Sequence, residues 1–328
     1  MMRDERTGTG LLAAAALSAA LVACGGRPGG GATGSQGTTS SGKSVVQNKG
    51  SDTMVNVAQA WAEEYHKVNP AVAVEVSGGG SGVGIAALSK GSIDIANASR
   101  NMKPQEIEDA KRNTGKEPKE FIVGFDALAV YVHKDNPLNE ISIDELAQIF
   151  AEGGTAERWS QVGVKLAGEK DDKIVRVSRQ SSSGTYEFFR EHVLANKDFK
   201  QGSRDLSGSK EVVELVGGTR TAIGYSGMGY ATPAVKMLKL APKKGAPAVA
   251  PNVANTISKS YPLARSLQMY TLGDPQGGVK DYITWVLSDA GQKILEQSGY
   301  VSIPPDRRIA PAPAAGGSAP ASAPASPR

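Results

Sequence analysis

Residue types that support common chemistries are scarce in this sequence. It contains one cysteine and three histidines, His66, His133 and His192, which stand far apart. A zinc site needs several such ligands held together, so the sequence predicts no metal. The 37 basic and 33 acidic residues leave a formal charge of +4, without the long basic run that follows a nucleic-acid backbone. We therefore expect neither a cofactor nor a nucleic-acid partner.

Long apolar runs are also missing, and the run at residues 11–23 is too short to span a bilayer as a stable helix. Its length is typical of a signal-peptide core. The following LVAC, which ends at Cys24, resembles the lipobox of bacterial lipoproteins. This resemblance implies a signal peptide at residues 1–24, lipidation of Cys24 and an extracytoplasmic location at a bacterial membrane. An ordinary secretory cleavage site with an incidental cysteine is the alternative.

Two low-complexity segments flank the part of the chain that can fold. Residues 25–44 are almost wholly Gly, Ser, Thr, Ala and Gln, which predicts a flexible tether. Residues 309–328 form an Ala/Pro/Ser-rich tail that we expect to be disordered. The intervening chain can bury a large core and exceeds the usual length of one compact domain, so we expect two lobes.

The foldable part alternates β-rich runs with amphipathic helices, which predicts an α/β fold. The first helix begins near Thr53, and Asn69 followed by Pro70 ends it. Further helices are predicted at residues 143–150, 186–194 and 279–297. Strands are predicted at residues 72–76, 93–96, 121–132, 174–178, 222–225 and 267–271. The third and the last of these strands are expected to cross between the lobes.

The stretch VEVSGGGSGVGIAAL at residues 74–88 indicates a strand, a glycine turn and a short helix. No lysine follows the glycines, which excludes a triphosphate-binding loop. GVGIAA fits the looser dinucleotide pattern, but the strand ends too early, at Ser77, and the next strand follows too soon. A nucleophile elbow fails because Val83 stands where glycine is required. What remains is an anion site made by backbone amides and Ser81, or a loop that only turns the chain.

A second serine-rich stretch, SRQSSSGT at residues 178–185, also lies between a strand and a helix. Arg179 offers paired donors that match an oxyanion, and each such charge-assisted bond is worth about 1.5–3 kcal/mol. The alternative is a capping loop, in which Arg179 would need a carboxylate partner.

Two shorter segments complete the candidates. Ser99 and Arg100 follow a strand at the sheet edge where ligands collect in open α/β folds. Thr53 and Met54 open the first helix, although an ordinary N-cap is the alternative there. A cleft between lobes would bring all these segments together. They contain no nucleophile paired with a base, so we expect binding without catalysis.

Several motifs together resemble the phosphate-binding lipoproteins of bacterial phosphate ABC transporters. They are GSDTM at 50–54, GGGSGVGIAAL at 78–88, DIANASR at 94–100, RQSSSGT at 179–185 and AIGYSG at 222–227. The resemblance runs in order through about residues 45–305. It implies a two-lobed type II periplasmic-binding-protein fold with two hinge crossovers. Lobe I would comprise residues 45–126 and 266–308, and lobe II residues 127–265.

The resemblance also implies a phosphate site and a role in transport. The implied ligand-binding residues are Thr53, Met54 through its amide, Ser81, Ser99, Arg179, Ser183, Gly184 and Thr185, with Arg100 as a further candidate. Such a protein, which we expect to be monomeric, captures inorganic phosphate outside the cytoplasmic membrane. It delivers the phosphate to the permease and ATPase subunits of an ABC importer, and it hydrolyses nothing.

One departure from the family pattern concerns selectivity. Well-known members place an aspartate directly after the serine that corresponds to Ser99, where it accepts the proton of hydrogen phosphate and rejects sulfate. This sequence has Arg100 there. Asp52 or another carboxylate could supply the acceptor, and a receptor for sulfate or another tetrahedral oxyanion is the alternative. An exported phosphatase is a further alternative that would need a metal set or an activated nucleophile.

Overall fold

The computed structural model describes residues 44–309. The predicted signal peptide, Cys24, and nearly all of the predicted tether and tail lie outside these residues. Inside them, strands and helices alternate as the sequence predicts.

The elements are numbered here in chain order. The strands are β1 (Ser44–Gly50), β2 (Val72–Ser77), β3 (Ile95–Ala98), β4 (Pro118–His133), β5 (Glu140–Ser142), β6 (Val175–Arg179), β7 (Arg204–Leu206), β8 (Ala222–Gly227), β9 (Val235–Met237), β10 (Lys239–Ala241) and β11 (Ala264–Leu272). The α-helices are α1 (Val55–Val68), α2 (Ser81–Leu88), α3 (Pro104–Thr114), α4 (Ile143–Phe150), α5 (Gly184–His192), α6 (Ser209–Gly217), α7 (Val253–Ile257), α8 (Gly277–Val286) and α9 (Asp289–Gln297).

One nine-stranded sheet runs through the described residues in the order β2-β1-β3-β11-β4-β8-β6-β7, with β9 paired to β4. The strands at its two ends pair in parallel, β1 with β2 and β3, and β6 with β7 and β8. In the middle, β4 and β11 pair antiparallel to each other. Helices α2 and α5 begin at the carboxyl ends of β2 and β6, where parallel strands collect ligands.

Strand β4 connects the two ends of this sheet because it changes partner along its length. It pairs with β11 up to Ala127 and with β8 from Leu128 onward. It also contributes to both of the larger hydrophobic clusters, with Val123 in one and Val130 in the other. The long β-branched run thus forms a strand, as predicted, and links the two clusters; its crossing between lobes stays a prediction.

The predicted closing helix at 279–297 is wrong, because the chain forms two helices, α8 and α9. Ser288 between them is extended, with φ −80° and ψ 168°, and its hydroxyl donates to the Trp285 carbonyl at 2.6 Å. The start of α9 then packs closely on the end of α8, since a Cβ at Gly291 would meet the Trp285 carbonyl oxygen at 2.6 Å. The apolar periodicity continues through the break, which explains the error.

Other boundaries also differ from the prediction, and β11, for example, begins at Ala264 instead of residue 267. The strand expected at 93–96 is β3, two residues later, and α5 begins at Gly184 instead of residue 186. The Ser183 hydroxyl accepts hydrogen bonds from the Thr185 and Tyr186 amides at 3.1 and 3.4 Å, so this N-cap sets the start of α5. As a result Gly184 and Thr185 lie in the first helical turn.

Glu157 forms an ion-pair network whose effect on stability depends on pH. Its carboxylate contacts Arg176 and Lys200, both at 2.9 Å, and these hydrogen bonds lower its pKa from 4.5 to about 2. Because the pKa is lower in the folded protein, the carboxylate stabilises the fold at any pH above its pKa in the unfolded chain. That contribution is lost as pH falls from 4.5 toward 2. We expect Glu157→Gln to cost about 1 kcal/mol at neutral pH, since the carboxylate is partly exposed.

Urea unfolding of both proteins at neutral pH and at about pH 3 checks this expectation. The difference in stability should shrink at the acidic pH, because the carboxylate of the unfolded wild-type chain, with a pKa of 4.5, is then protonated. Glu64→Gln, which removes an exposed pair with Lys67, is the control and should change little at either pH. A Glu157→Gln difference that stays constant would contradict the assignment.

Candidate functional site

The glycine turn between β2 and α2 contacts the serine-rich loop before α5. Gly79 and Gly80 have φ of +109° and +99°, and a Cβ at Gly80 would meet the Ser182 carbonyl oxygen at 2.5 Å. The Gly82 amide donates to that same oxygen at 2.9 Å. Glycine is therefore required by both conformation and space. Of the amides in this turn, that of Gly82 holds the second loop, whereas the Gly79 amide donates to Asp52 at 2.9 Å and the Gly80 amide to the Gly50 carbonyl at 3.0 Å.

Five buried hydroxyl-bearing residues from the predicted segments converge at this contact. The Thr53 and Thr185 hydroxyl oxygens lie 2.9 Å apart, although the residues are 132 positions apart in sequence. The Ser81 and Ser99 hydroxyl oxygens lie 3.4 Å apart. Ser183 caps the helix that carries Thr185. Each of these residues is at most 2% exposed.

Most of these hydroxyls already accept a hydrogen bond from the protein. The Ser99 hydroxyl accepts from the Ser51 hydroxyl at 3.0 Å, and the Ser81 hydroxyl accepts from the Ser99 amide at 3.1 Å. The Ser183 hydroxyl accepts from two amides of α5. A hydroxyl has one proton and two lone pairs, so a hydroxyl that already accepts a bond still has its proton to donate. Such a cluster suits a ligand made of acceptors, namely an oxyanion.

Gly184 and the Met54 amide, both predicted to bind the ligand through the backbone, lie in different surroundings. Gly184 lies against the hydroxyl cluster, because a Cβ there would clash with the Ser81 hydroxyl and lie 2.8 Å from the Ser99 hydroxyl. The Met54 amide donates to the Ser51 carbonyl at 3.0 Å, and the Met54 side chain is fully buried. The Met54 amide is thus engaged within the turn before α1 in this structure.

Arg179, at the end of β6, has a carboxylate partner, which the capping-loop alternative for this segment required. Its side chain is fully buried, with Nη2 at 3.1 Å from Asp52 Oδ2 and 2.7 Å from the Ser207 carbonyl. Nη1 donates to the Ser209 hydroxyl at 3.0 Å, whereas Nε has no partner within residues 44–309. Burial lowers the pKa of Arg179, which the charge of Asp52 opposes. An unpaired buried N–H favours a further acceptor at this site.

Arg100 forms an ion pair with a carboxylate that lies six residues later in the chain. Its guanidinium forms a bidentate contact with Glu106 at 2.7 and 2.8 Å. Burial disfavours the charged form, but the hydrogen bonds and charge of Glu106 outweigh burial and raise the pKa of Arg100. The same contact lowers the pKa of Glu106. A ligand role for Arg100 stays a prediction, and Glu106 is the group that would compete with the ligand.

Sequence reasoning missed a second buried arginine–carboxylate pair beside the hydroxyls. Asp126 on β4 accepts from Arg265 on β11 at 2.7 and 3.0 Å, and Arg265 also reaches the Thr53 hydroxyl at 3.3 Å. Burial raises the pKa of the Asp126 carboxyl, which Arg265 opposes. An aspartate inside an otherwise apolar strand was a usable signal for Asp126. No local signal identifies its partner.

Both Arg100 and Arg265 line a groove of about 1070 Å³, whose lining includes none of the five hydroxyl-bearing residues. Within the described residues, no group of three His, Cys, Asp or Glu side chains could hold a metal ion. No helix of that same part of the chain is long and apolar enough to cross a membrane.

Comparison with known proteins identifies the family. Residues 33–290 match the PBP superfamily domain. Over 270 residues the chain is 34% identical to the phosphate-binding protein PstS of Pseudomonas aeruginosa, covering 79% of this chain and 83% of that protein. The chain belongs to the PstS family. PstS of Bacillus subtilis is 30% identical over 256 residues, covering 77% of this chain and 79% of that protein.

Solved structures related to the PstS family share the fold. A Clostridium perfringens substrate-binding protein of the phosphate ABC transporter class, with bound phosphate, aligns with a TM-score of 0.70 and 27% identity. An ABC-type phosphate transport receptor from Vibrio cholerae aligns with a TM-score of 0.63 and 27% identity. Each alignment covers 79% of this chain and 100% of the other. The predicted type II periplasmic-binding-protein fold is thereby confirmed.

Proposed function

We propose that this protein is an extracytoplasmic receptor that captures inorganic phosphate and delivers it to the permease and ATPase subunits of an ABC importer. The observation that carries the proposal is the buried convergence of hydroxyls that are arranged as donors. Oxyanions offer acceptors in several directions, so such a cluster recognises them without supplying chemistry. PstS relatives and a neighbour with bound phosphate favour phosphate among the oxyanions.

The proposed outcome is binding and release without hydrolysis. An activated nucleophile would need a base within hydrogen-bond reach. In the described part of the chain, the hydroxyls of Thr53, Ser81 and Ser99 contact other hydroxyls, an amide and a guanidinium, but neither a histidine nor a carboxylate. This arrangement supports a receptor over an exported phosphatase.

The proposed lobes are residues 45–126 with 266–308, and residues 127–265. Several polar contacts would cross this boundary in the closed form, including three between side chains away from the crossover strands. Thr53 meets Thr185 at 2.9 Å, and Asp52 meets Arg179 at 3.1 Å. Lys103 at the start of α3 meets Glu187 on α5 at 2.9 Å. Opening about the crossover strands would separate all three and expose the hydroxyls to solvent.

The proposed attachment is a lipid on Cys24, with residues 25–44 as a tether that lets the receptor reach its permease. We further propose that the protein acts as a monomer, with the oxyanion as its only ligand. The tail beyond residue 309 has no assigned role in this proposal.

Selectivity between phosphate and sulfate depends on an acceptor for the proton of hydrogen phosphate. Asp52 supports this role, because its two oxygens accept one hydrogen bond each, from the Gly79 amide and from Arg179. A carboxylate can accept about four hydrogen bonds, so Asp52 could also accept one from hydrogen phosphate. A carboxylate near the anion would also repel fully deprotonated sulfate.

Isothermal titration calorimetry on the purified protein, stripped of bound anion, tests the proposal with phosphate and then sulfate at about pH 6 and 8. We expect tight one-to-one binding of phosphate and no heat with sulfate. Sulfate binding equal to or tighter than that of phosphate would make another oxyanion the ligand. Heat with neither anion would contradict the receptor assignment itself.

A further inference from the structure

The Arg265–Asp126 pair has contacts beyond those that a structural ion pair needs. The two residues stand on different crossover strands, β11 and β4, and their side chains are 2% and 0% exposed. The carboxylate of Asp126 binds Nε and Nη2 of the guanidinium and also accepts the Met228 amide at 3.0 Å. Asp126 thus fixes the plane of the guanidinium. The remaining donors of Arg265 point to two residues of the hydroxyl cluster.

The first of these contacts determines the direction of a hydroxyl proton. Arg265 Nη2 donates to the Thr53 hydroxyl oxygen at 3.3 Å. A guanidinium has no acceptor, so Thr53 cannot donate back to it. The single proton of Thr53 therefore points away from the guanidinium, and the Thr185 hydroxyl oxygen, 2.9 Å away, is an available acceptor. A bound oxyanion that contacts these hydroxyls would accept the hydrogen bond from Thr53.

The second contact holds the neighbouring donor. Arg265 Nη1 donates to the Ser99 carbonyl oxygen at 3.3 Å. The hydroxyl of Ser99 lies in the same cluster as that of Ser81. One guanidinium therefore positions two donors that come from separate parts of the chain.

We propose that Arg265 is a positioning residue of the anion site, which fixes the Thr53 hydroxyl as a donor to the bound oxyanion and is itself oriented by Asp126. The inference rests on the proposed function, since it assigns a specificity role inside the same site. A neighbouring cation also polarises the Thr53 hydroxyl, which strengthens the bond that this hydroxyl gives to an anion.

The chain offers a matched control for the loss of a buried arginine. The Arg176 side chain is 6% exposed, compared with 2% for that of Arg265, and it pairs with Glu157 at 2.9 Å. Its other hydrogen bond goes to the Gln201 carbonyl, away from the hydroxyl cluster. Arg176→Gln removes a similarly buried guanidinium without touching Thr53 or Ser99, although the partner carboxylate is more exposed than Asp126.

The experiment measures anion affinity by calorimetry for the wild type, Arg265→Gln, Arg265→Lys and Arg176→Gln. We expect Arg265→Gln to bind about 10- to 100-fold more weakly, as the loss of a charge-assisted donor predicts. Arg265→Lys keeps one charged donor and should recover part of the loss, while Arg176→Gln should bind like the wild type. Wild-type affinity in Arg265→Gln would overturn the proposal.

A double-mutant cycle with Thr53→Val separates positioning from general stability. In a Thr53→Val background, Arg265→Gln should cause a smaller loss of affinity than in the wild type, because one of the two donors that Arg265 positions is already gone. An equal loss in both backgrounds would overturn the proposal. If Arg265→Gln fails to fold because Asp126 is left unpaired, the double variant Asp126→Asn/Arg265→Gln takes its place in the cycle.

The series uses whichever of phosphate and sulfate the wild type binds. A preference for sulfate would overturn the phosphate assignment and still test Arg265. A wild type that binds neither anion would overturn both proposals.

Discussion

Gly184→Ala is expected to weaken oxyanion binding by about 100-fold or more while leaving the fold intact. A methyl group at Gly184 would clash with the Ser81 hydroxyl and lie 2.8 Å from the Ser99 hydroxyl, so it would occupy the centre of the donor cluster. Gly184 begins α5, where alanine is a good helix former. The effect should therefore be confined to the site. Calorimetry with phosphate measures the loss, and thermal unfolding checks the fold.

Gly208→Ala is the matched control for this substitution. Gly208 is the residue directly before α6, as Ser183 is before α5. A Cβ added at Gly208 would lie 3.6 Å from the Glu211 side chain, which is an ordinary contact distance. We expect unchanged affinity for the control. Wild-type affinity in Gly184→Ala would mean that the anion lies elsewhere.

Arg179→Gln is the second large effect, and we expect it to lower both affinity and stability. Affinity should fall by about 10- to 100-fold, because a buried cation with an unpaired Nε is lost from the site. Stability should fall because Asp52, at 3.1 Å, loses its partner. Breaking a fully buried pair costs about 3–5 kcal/mol, and less is expected here because the Asp52 side chain is 14% exposed.

The double variant Asp52→Asn/Arg179→Gln distinguishes the two roles of Arg179. Removing both charges leaves no unpaired carboxylate, so urea unfolding should show stability recovered in part. Phosphate affinity measured by calorimetry should remain low. If the double variant recovered both properties, Arg179 would be a structural residue only.

Much of the fold was predictable because its signals are local. The predicted helix at 143–150 matches α4, and the long apolar run at 121–132 lies inside β4. Periodicity and turn residues act within a few positions, so they identify such elements directly. Helix α3 was missed although Pro104 and Glu106 mark its start, because only Ala110 of this helix is buried and no apolar stripe appears.

The candidate site was predictable in part for a related reason. Hydroxyls and glycines after strands and before helices indicated Thr53, Ser81, Ser99 and the 183–185 segment, and the structure brings these residues together. The partner of Arg100 lies only six residues away, yet the sequence did not indicate that the guanidinium turns toward Glu106. Rotamer choice depends on the packing around the side chain, which a sequence pattern does not contain.

The sequence by itself determined the alternation of strands and helices, the glycine turn and the types of donor at the helix starts, because these follow from short-range sterics and hydrogen bonding. Only the tertiary structure decided which groups pair. Asp52 meets Arg179 across 127 positions, and Asp126 meets Arg265 across 139. Such pairs depend on how strands stack in the sheet. That arrangement is set by the burial of the whole core, so no local stretch of sequence encodes it.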